Sequence, residues 1–113
     1  DSVRSYDGAD TLVGGAGRDT LFGGNGADTF IFNIGDTDDV DFDGIRDWEN
    51  GIDIIDLSST GYTGVTSASV AGTLRIAYSV LADRTYLRDD FSNFEFFIEG
   101  DQRAFLDNTD FIF

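Results

Sequence analysis

The sequence contains no cysteine, histidine, lysine, methionine or proline. The missing cysteine and histidine exclude disulfides and zinc sites built from thiolates or imidazoles. The missing lysine excludes a phosphate-binding loop that ends in Gly-Lys-Ser/Thr. No stretch reaches membrane-spanning length and no signal peptide is visible. Because the chain opens at Asp1–Val3 in the middle of a pattern, we expect it to be a module of a longer protein.

Negative charge is in large excess, since 22 acidic residues against seven basic ones give a net charge of −15. Nineteen of the acids are Asp, a residue that disfavours helices and favours loops and cation binding. We therefore expect neither nucleic acid nor an anionic membrane as a partner. Eleven Phe and 41% hydrophobic residues argue for a folded core. A chain of 113 residues nevertheless often needs an additional stabilising element such as a disulfide or a bound metal ion.

Glycine, aspartate and one large apolar residue recur at intervals of nine residues. The three series are Gly8, Gly17, Gly26 and Gly35; Asp10, Asp19 and Asp28; and Leu12, Leu21 and Phe30. The two intact units are Gly14–Phe22 and Gly23–Ile31, with a degenerate unit before them and a decayed unit after them. Two intact units in phase argue against a flexible glycine-rich linker.

The repeat predicts a right-handed parallel β-roll over residues 5–40. Each Thr-Leu-Val, Thr-Leu-Phe or Thr-Phe-Ile triplet is read as a short strand, and the Gly-rich hexapeptides supply tight turns. Two strands and two turns form a coil of 18 residues, so every second unit stacks on the same side. Residues 41–113 show apolar alternation at Leu74–Val80 and Phe94–Ile98, and we expect irregular strands that cap the roll. The fold class is therefore all-β, with residues 1–113 as a single domain.

The Gly-rich turns are predicted to bind calcium, as the nonapeptide G-G-x-G-x-D-x-U-x does in β-helix proteins. Ca²⁺ takes six to eight oxygen ligands, and main-chain carbonyls serve as well as carboxylates. One turn offers half a shell and the turn stacked on it offers the rest, so Asp10 should pair with Asp28. Asp19 should pair with the decayed turn near Asp36 and Asp38. The expected ligands are Asp10, Gly15, Gly17, Asp19, Gly24, Gly26, Asp28, Asp38, Asp43 and Asp47.

Calcium binding and folding are expected to be a single event, because these pairs bring like charges together when no ion is bound. The segment Asp39–Gly44 also matches the first half of an EF-hand loop. The twelfth position would be Asn50 instead of a bidentate Glu, and no helical pattern flanks the segment. We therefore favour a calcium ligand within Asp38–Asp47, and we expect the turn ending at Asp28 to face also towards the region Asp43–Asp47.

The repeats resemble the RTX family, and later segments narrow the resemblance. Asp43–Trp48 and Gly51–Ser58 are similar to the D-x-I-x-D-F…G-x-D-x-I-D-L-S segment that follows the last repeats in RTX proteases and epimerases. Asp83–Leu87, Phe94–Asp101 and Asp110–Phe113 are most similar to the R-modules of mannuronan C5-epimerases. The similarity extends over nearly the whole chain.

This resemblance implies a secreted, monomeric, non-catalytic R-module that folds on calcium and assists the catalytic module of the same chain. The catalytic module of such epimerases converts mannuronate to guluronate in alginate, whereas this chain has no His or Lys to help abstract a C5 proton. The alternative is a calcium-triggered folding and type I secretion domain of an RTX protease or lipase. Asp110–Phe113 supports this alternative because it resembles the C-terminus of type I secreted proteins, although an ordinary last strand has the same pattern.

R-modules bind alginate with differing strength, and one predicted strand offers a matching stripe of side chains. On this strand the stripe consists of Arg84, Tyr86 and Arg88, and Arg75 and Arg103 would extend it. Its central residues share one face by period two, guanidinium groups suit carboxylates, and a tyrosine ring can lie against a sugar. The other interpretation is a solvated face neutralised by Asp89, Asp90 or Glu95. The net charge of −15 favours this second interpretation and limits alginate binding to a weak, calcium-assisted interaction.

Overall fold

The computed structural model describes residues 2–38 and 40–113, so Asp1 and Asp39 lie outside the described residues. The described residues form eleven strands in two sheets and one short 3-10 helix. The strands are β1 Ser2–Arg4, β2 Thr11–Val13, β3 Thr20–Phe22, β4 Thr29–Ile31, β5 Asp43–Ile45, β6 Ile54–Asp56, β7 Val65–Thr66, β8 Leu74–Ser79, β9 Arg84–Arg88, β10 Glu95–Glu99 and β11 Phe111–Ile112. The 3-10 helix η1 is Asn108–Asp110. No helix in the described part of the chain is long and apolar enough to cross a bilayer.

The first four strands form the two-sided stack that the repeat predicts. β1 and β3 pair in parallel on one side of the roll, and β2 and β4 pair in parallel on the other. Thr20 lies beside Ser2, and Thr29 lies beside Thr11, which is the spacing of one 18-residue coil. The parallel β-roll expected from the sequence is therefore present, with its short strands at the expected positions.

Parallel stacking continues after the glycine repeat ends, but with longer coils. β5 pairs with β3 and β6 pairs with β4, both in parallel. The contacts that link these coils span 24 and 25 residues instead of 18. Much of the extra length lies in segment 32–42 between β4 and β5, which holds the decayed repeat. The roll thus extends beyond residue 40 into the region expected to contain the capping strands.

The cap is more regular than expected, because it is an antiparallel unit attached to the larger sheet. β10 pairs in parallel with β5 and antiparallel with β9, and β9 pairs antiparallel with β8. The larger sheet has the order β1-β3-β5-β10-β9-β8-β7, and the smaller has the order β11-β6-β4-β2. Alternating apolar residues fix the register, since a slip of one residue would turn the core-facing side chains of a strand outward.

Both sheets cover one continuous core. The inward residues of the repeats are Leu12, Leu21 and Phe30, each at most 2% exposed. From the cap, the ring of Phe96 stacks on that of Phe32 with 4.1 Å between the centroids. Fully burying a side chain of this kind contributes roughly 1.5–3 kcal/mol. The cap therefore adds apolar contacts that three-residue strands cannot supply alone.

Candidate metal centre

Aspartates at the ends of turns are linked from one coil to the next by a ladder of hydrogen bonds, which we call the aspartate ladder. In each rung, the main-chain N–H of one Asp donates to Oδ1 of the Asp one coil later. The rungs are Asp10 N to Asp28 Oδ1 at 3.0 Å, Asp19 N to Asp43 Oδ1 at 2.8 Å and Asp28 N to Asp53 Oδ1 at 3.0 Å. The ladder brings acidic side chains together in pairs along the roll.

The predicted pair of Asp10 and Asp28 forms the first rung. Asp28 is 1% exposed, and its Oδ2 atom, like that of Asp10, is buried without a hydrogen-bond partner among the described residues. Burial raises the pKa of Asp28; the N–H of Asp10 opposes this effect, and the negative charge of Asp10 adds to it. Neighbouring carboxylates repel each other when both are ionised, so this geometry suits a divalent cation.

Two glycines allow the second intact turn to sit directly on the turn one coil earlier. A Cβ atom on Gly26 would lie 2.5 Å from the carbonyl oxygen of Gly8, and one on Gly24 would lie 2.7 Å from that of Tyr6. Both glycines have positive φ, 107° at Gly26 and 79° at Gly24, a region that disfavours side chains with a Cβ. Glycine therefore lets the second intact turn pack directly against main-chain carbonyls of the turn one coil earlier.

Asp19 and Asp43 form the equivalent pair on the other side of the roll. A Cβ atom on Gly14 would lie 3.0 Å from Oδ2 of Asp19 and 3.3 Å from Oδ2 of Asp43, so the two oxygens converge over this glycine. Asp43 is 1% exposed, and burial raises its pKa to about 7. Gly15 and Gly17, which were predicted as ligands, lie in the same turn as Gly14 with φ of 79° and 93°.

The partner of Asp19 differs from the one that the sequence suggests. We expected Asp19 to pair with the turn near Asp36 and Asp38. Because segment 32–42 is longer than a repeat turn, the carboxylate that stacks on Asp19 one coil later is that of Asp43. Asp38 accepts hydrogen bonds from two main-chain N–H groups of its own loop at 2.7 and 2.9 Å, and these lower its pKa. Its carboxylate thus stabilises a local turn.

Asp47 contacts the main chain of the last intact turn. Its Oδ1 accepts from the N–H of Gly23 and its Oδ2 from that of Gly24, both at 2.8 Å. These bonds fix the orientation of a turn whose carbonyls are candidate ligands. Asp39, the first position of the EF-hand match, lies outside the described residues, and the described end of that match enters strand β5.

A third acidic position, which the sequence analysis missed, lies where the repeats end. One carboxylate oxygen from each of Asp28, Glu49 and Asp53 lies within 4.8 Å of the others. Asp53 is 1% exposed, and burial raises its pKa to about 6. Its Oδ2 accepts from the N–H of Glu49 at 2.8 Å, while Oε1 of Glu49 is buried with no hydrogen-bond partner in residues 2–38 and 40–113. The sequence feature that could have identified this position is that Asp53 directly precedes strand β6, just as Asp28 directly precedes β4.

The groups at all three positions fit calcium. They offer only oxygen atoms, from carboxylates and from the main-chain carbonyls of the turns, and this is the donor set of a hard divalent cation. Several of the carboxylate oxygens are buried and lack a hydrogen-bond donor among the described residues. An ion between two turns would supply the missing partner and cancel the repulsion between the acids.

The predicted arginine stripe lies on the outer face of the larger sheet. Arg84, Tyr86 and Arg88 alternate with two buried residues along β9, and Arg75 lies beside Arg88 in the register with β8. The guanidinium group of Arg84 lies 4.0 Å from the ring centroid of Phe97. Tyr86 and Arg88 help to line a surface cavity of about 450 Å³. The central side chains of the stripe therefore share one surface.

Carboxylates neutralise part of this stripe. The ion pairs are Arg88–Glu95 at 3.2 Å, Arg75–Asp90 at 2.6 Å and Arg103–Asp101 at 2.7 Å. Arg84 forms no ion pair with any other described residue. Asp89 accepts a hydrogen bond from the hydroxyl of Tyr62 at 2.8 Å instead of pairing with the stripe. Both interpretations of the stripe thus keep structural support.

Comparisons with known proteins extend these observations. The family model of the RTX calcium-binding nonapeptide repeat matches residues 5–38 in four copies. The mannuronan C5-epimerase AlgE3 of Azotobacter vinelandii is 42% identical over 76 residues, which cover 63% of this chain and 4% of that protein. Alginate lyase 7 of the same organism is 40% identical over 76 residues, which cover 63% of this chain and 9% of that protein. The chain thus spans less than a tenth of the length of these relatives.

Two solved structures are similar over almost the entire chain. The solution structure of the AlgE6R2 subunit from the Azotobacter vinelandii mannuronan C5-epimerase has a TM-score of 0.78 and 36% identity, and the match covers 99% of this chain and 75% of that one. The AlgE6R3 subunit has a TM-score of 0.76 and 37% identity, with 99% and 67% covered. These findings confirm the RTX resemblance, the all-β parallel β-roll and calcium as the cofactor. The chain belongs to the family of RTX calcium-binding R-modules that includes the AlgE6R2 subunit.

Proposed function

We propose that this module folds on calcium outside the cell and assists, without catalysing a reaction itself, the catalytic module of the same chain. The proposed parent is a mannuronan C5-epimerase, because AlgE3 and the AlgE6 subunits come from proteins of that name. Because the chain is also similar to alginate lyase 7, a lyase is the alternative parent, and a test of the proposal must distinguish the two. In both cases the module would be a single unit of residues 1–113, monomeric and joined covalently to its enzyme.

The aspartate ladder, with its buried carboxylate oxygens, carries this proposal. The proposed ligands are the carboxylates of Asp10, Asp19, Asp28, Asp43, Glu49 and Asp53 and the carbonyl groups of the turns that contain Gly15, Gly17, Gly24 and Gly26. An ion between two turns would hold successive coils together, so its binding free energy becomes folding free energy. Extracellular calcium modules have dissociation constants of roughly 10⁻⁴–10⁻³ M. Such a module would remain unfolded inside the cell and fold after export.

Far-UV circular dichroism of the purified chain tests the calcium dependence. We expect a β-sheet spectrum in millimolar calcium and its loss in excess chelator. Calcium should restore the spectrum and magnesium should not, because magnesium requires near-octahedral geometry and gives up its water reluctantly. An identical cooperative fold in chelator would refute the proposal.

Two observations support an accessory, non-catalytic role for this module: its amino-acid composition and its similarity to the epimerase subunits. Abstraction of a sugar C5 proton needs a positioned general base, and this chain has no His or Lys to share in that chemistry. The test is to assay the full-length parent, its catalytic module alone and this module alone on mannuronan. We expect no guluronate from this module alone, and higher activity when it is attached to the catalytic module. Lyase products from the parent would reassign the parent and leave the calcium function intact.

Export by type I secretion is the proposed route, and the alternative remains a secretion domain of an RTX protease or lipase. The last residues are part of the fold: Asp110 accepts a hydrogen bond from the N–H of Asp107 at 2.9 Å, and Phe111–Ile112 pairs with β6. This supports a last strand over a free secretion signal. If the parent continues past Phe113 into further modules, the multi-module epimerase is favoured.

Weak binding of alginate is a second candidate function, supported by the arginine stripe. Arg84 has no carboxylate partner in the described residues, and its guanidinium group lies above an aromatic ring on the same surface as Tyr86 and Arg88. An NMR titration with alginate oligomers tests this function, with the double variant Arg84→Gln/Arg88→Gln and the control Arg4→Gln, since Arg4 lies on β1 at the far edge of the larger sheet. We expect shifts near β9 that the double variant abolishes and the control keeps. No shifts near Arg84–Arg88 would exclude this surface.

A further inference from the structure

The second intact turn contains an Asn-Gly pair, Asn25–Gly26. Glycine is needed at position 26, because φ is 107° there and a Cβ atom would lie 2.5 Å from the carbonyl oxygen of Gly8. Asparagine is not needed at position 25, because Ala16 stands at the equivalent position of the other intact turn. Glycine leaves its own main-chain nitrogen unshielded, so a preceding Asn side chain is open to attack by that nitrogen. The fold thus places a chemically labile pair in a turn of the metal centre.

Among the described residues, two contacts restrain Asn25, and both are made with the turn one coil earlier. Its carbonyl oxygen accepts from the N–H of Gly8 at 3.1 Å, and its Nδ2 donates to Oδ1 of Asp7 at 3.3 Å. The side chain is otherwise exposed to solvent. Attack on the side chain requires Asn25 to leave this conformation. The restraint therefore lasts only as long as the two turns remain stacked.

We propose that Asn25 is a site of spontaneous deamidation and that calcium between the two turns controls its rate. This inference rests on the proposed calcium ligands. The main-chain nitrogen of Gly26 attacks Cγ of Asn25 and forms a cyclic imide. The bond from Cγ to the side-chain nitrogen breaks, and that nitrogen leaves as ammonia together with the proton of the attacking amide. Water then opens the imide at either carbonyl and leaves aspartate or isoaspartate.

Once Asn25 has become aspartate or isoaspartate, its turn cannot stack on the turn one coil earlier in the same way. A carboxylate replaces the amide that donated to Asp7 at 3.3 Å, so two like charges face each other across the coils. Isoaspartate also lengthens the main chain by one carbon and displaces the carbonyl group that Gly8 contacts. The adjacent rung of Asp10 and Asp28 therefore binds calcium less tightly. Damage accumulates while calcium is absent and persists after calcium returns.

The test compares the full chain with the variant Asn25→Ala, which copies Ala16 of the other turn. Both are incubated at mildly alkaline pH in calcium or in chelator, and peptide mapping by mass spectrometry quantifies isoaspartate. Asn50–Gly51 is mapped in the same digest; its side chain is held by Trp48 and Gln102, and because unfolding in chelator breaks these contacts as well, its conversion reports the effect of unfolding as such, while the refolding comparison with the variant isolates Asn25. We expect conversion at Asn25 to be several-fold faster in chelator. After return to calcium, the aged wild type should need several-fold more calcium to refold, and the aged variant should not.

Equal conversion at Asn25 in calcium and in chelator would overturn the inference, as would an unchanged calcium midpoint after conversion. A chain that fails to fold on calcium refutes the proposed function itself. A chain that folds on calcium but deamidates at the same rate refutes only this inference. If Asn25→Ala fails to fold, Asn25→Gln serves as the control, because glutamine forms the larger cyclic imide far more slowly.

Discussion

The main-chain N–H of Asp19 donates a hydrogen bond of 2.8 Å to Oδ1 of Asp43, 24 residues further along the chain. This bond uses one oxygen of a buried carboxylate and leaves Oδ2 beside Oδ2 of Asp19, over Gly14. One side chain can therefore fix the stacking of two coils with one oxygen and contribute to an ion with the other. Under the proposed function, this double use is how the aspartate ladder would link folding to calcium.

Replacing Asp43 with Asn tests that link. The amide keeps the size of the side chain and an oxygen for the hydrogen bond but removes the negative charge that an ion needs. We expect calcium to bind this position at least tenfold more weakly, a loss of about 1.4 kcal/mol, and the apparent melting temperature in calcium to fall. Isothermal titration calorimetry and thermal unfolding in calcium measure these effects. Asp41→Asn is the matched control, because Asp41 is exposed on the loop that precedes β5; an equal loss in both variants would contradict the assignment.

The intact repeats determine their own structure because local periodicity is enough. Nine-residue spacing places Asp10 and Asp28 one coil apart, and both strands and turns follow from the same residues. The partner of Asp19 could not be predicted in this way. Beyond the intact repeats, the length of segment 32–42 determines which carboxylate stacks on Asp19 one coil later. No periodic pattern in the sequence encodes that length.

The pairing of the cap also lies beyond local pattern. Alternation predicts β10 as a strand but not its parallel pairing with β5, which depends on contacts between distant residues. The ring of Phe97 lies so close over Gly44 that a Cβ atom there would be 2.0 Å from the ring. Only the folded chain shows why glycine stands at this position. Glu49 joins the candidate metal centre for a similar reason, since its place beside Asp53 is set by tertiary stacking.

Gly17 and Gly26 occupy equivalent positions in consecutive turns and offer a matched pair of substitutions. Alanine at either position meets a positive φ, 93° at Gly17 and 107° at Gly26, which costs about 1–2 kcal/mol. Only at Gly26 would the new Cβ also clash, at 2.5 Å from the carbonyl oxygen of Gly8, whereas nothing lies within 4 Å at Gly17. Overpacking of this kind costs about 1–3 kcal/mol more. Chemical denaturation in saturating calcium should show Gly26→Ala as the less stable variant, and equal losses would rule out stacking as the reason for glycine there.

Glu49 gives a test of the third acidic position. One of its carboxylate oxygens lies within 4.8 Å of those of Asp28 and Asp53, and its Oε1 is buried without a hydrogen-bond partner among the described residues. Glu49→Gln removes the charge and should leave one fewer calcium ion bound at a concentration that saturates the wild type. The β-sheet spectrum should persist, because the first rung of the ladder is unchanged. Calorimetric stoichiometry measures the loss, with Glu99→Gln as the control, since Glu99 pairs with Arg46 at 3.1 Å. Unchanged stoichiometry in Glu49→Gln would remove Glu49 from the ligand set.

Asp90 gives a prediction of pH dependence away from the metal centre. Its hydrogen bond with Arg75, and to a smaller extent the one with Ser69, lower its pKa from 3.8 to about 2. Because the folded pKa is lower than the unfolded one, the ion pair stabilises the fold above pH 3.8, and this contribution disappears as the pH falls towards 2. In Arg75→Gln, the pKa of Asp90 should rise towards 3.8, whereas Arg103→Gln should leave it unchanged because Arg103 pairs with Asp101. An NMR titration of the Asp90 carboxyl carbon in calcium measures both values. A pKa near 3.8 in the wild type would show that the pair with Arg75, at 2.6 Å, does not persist in solution.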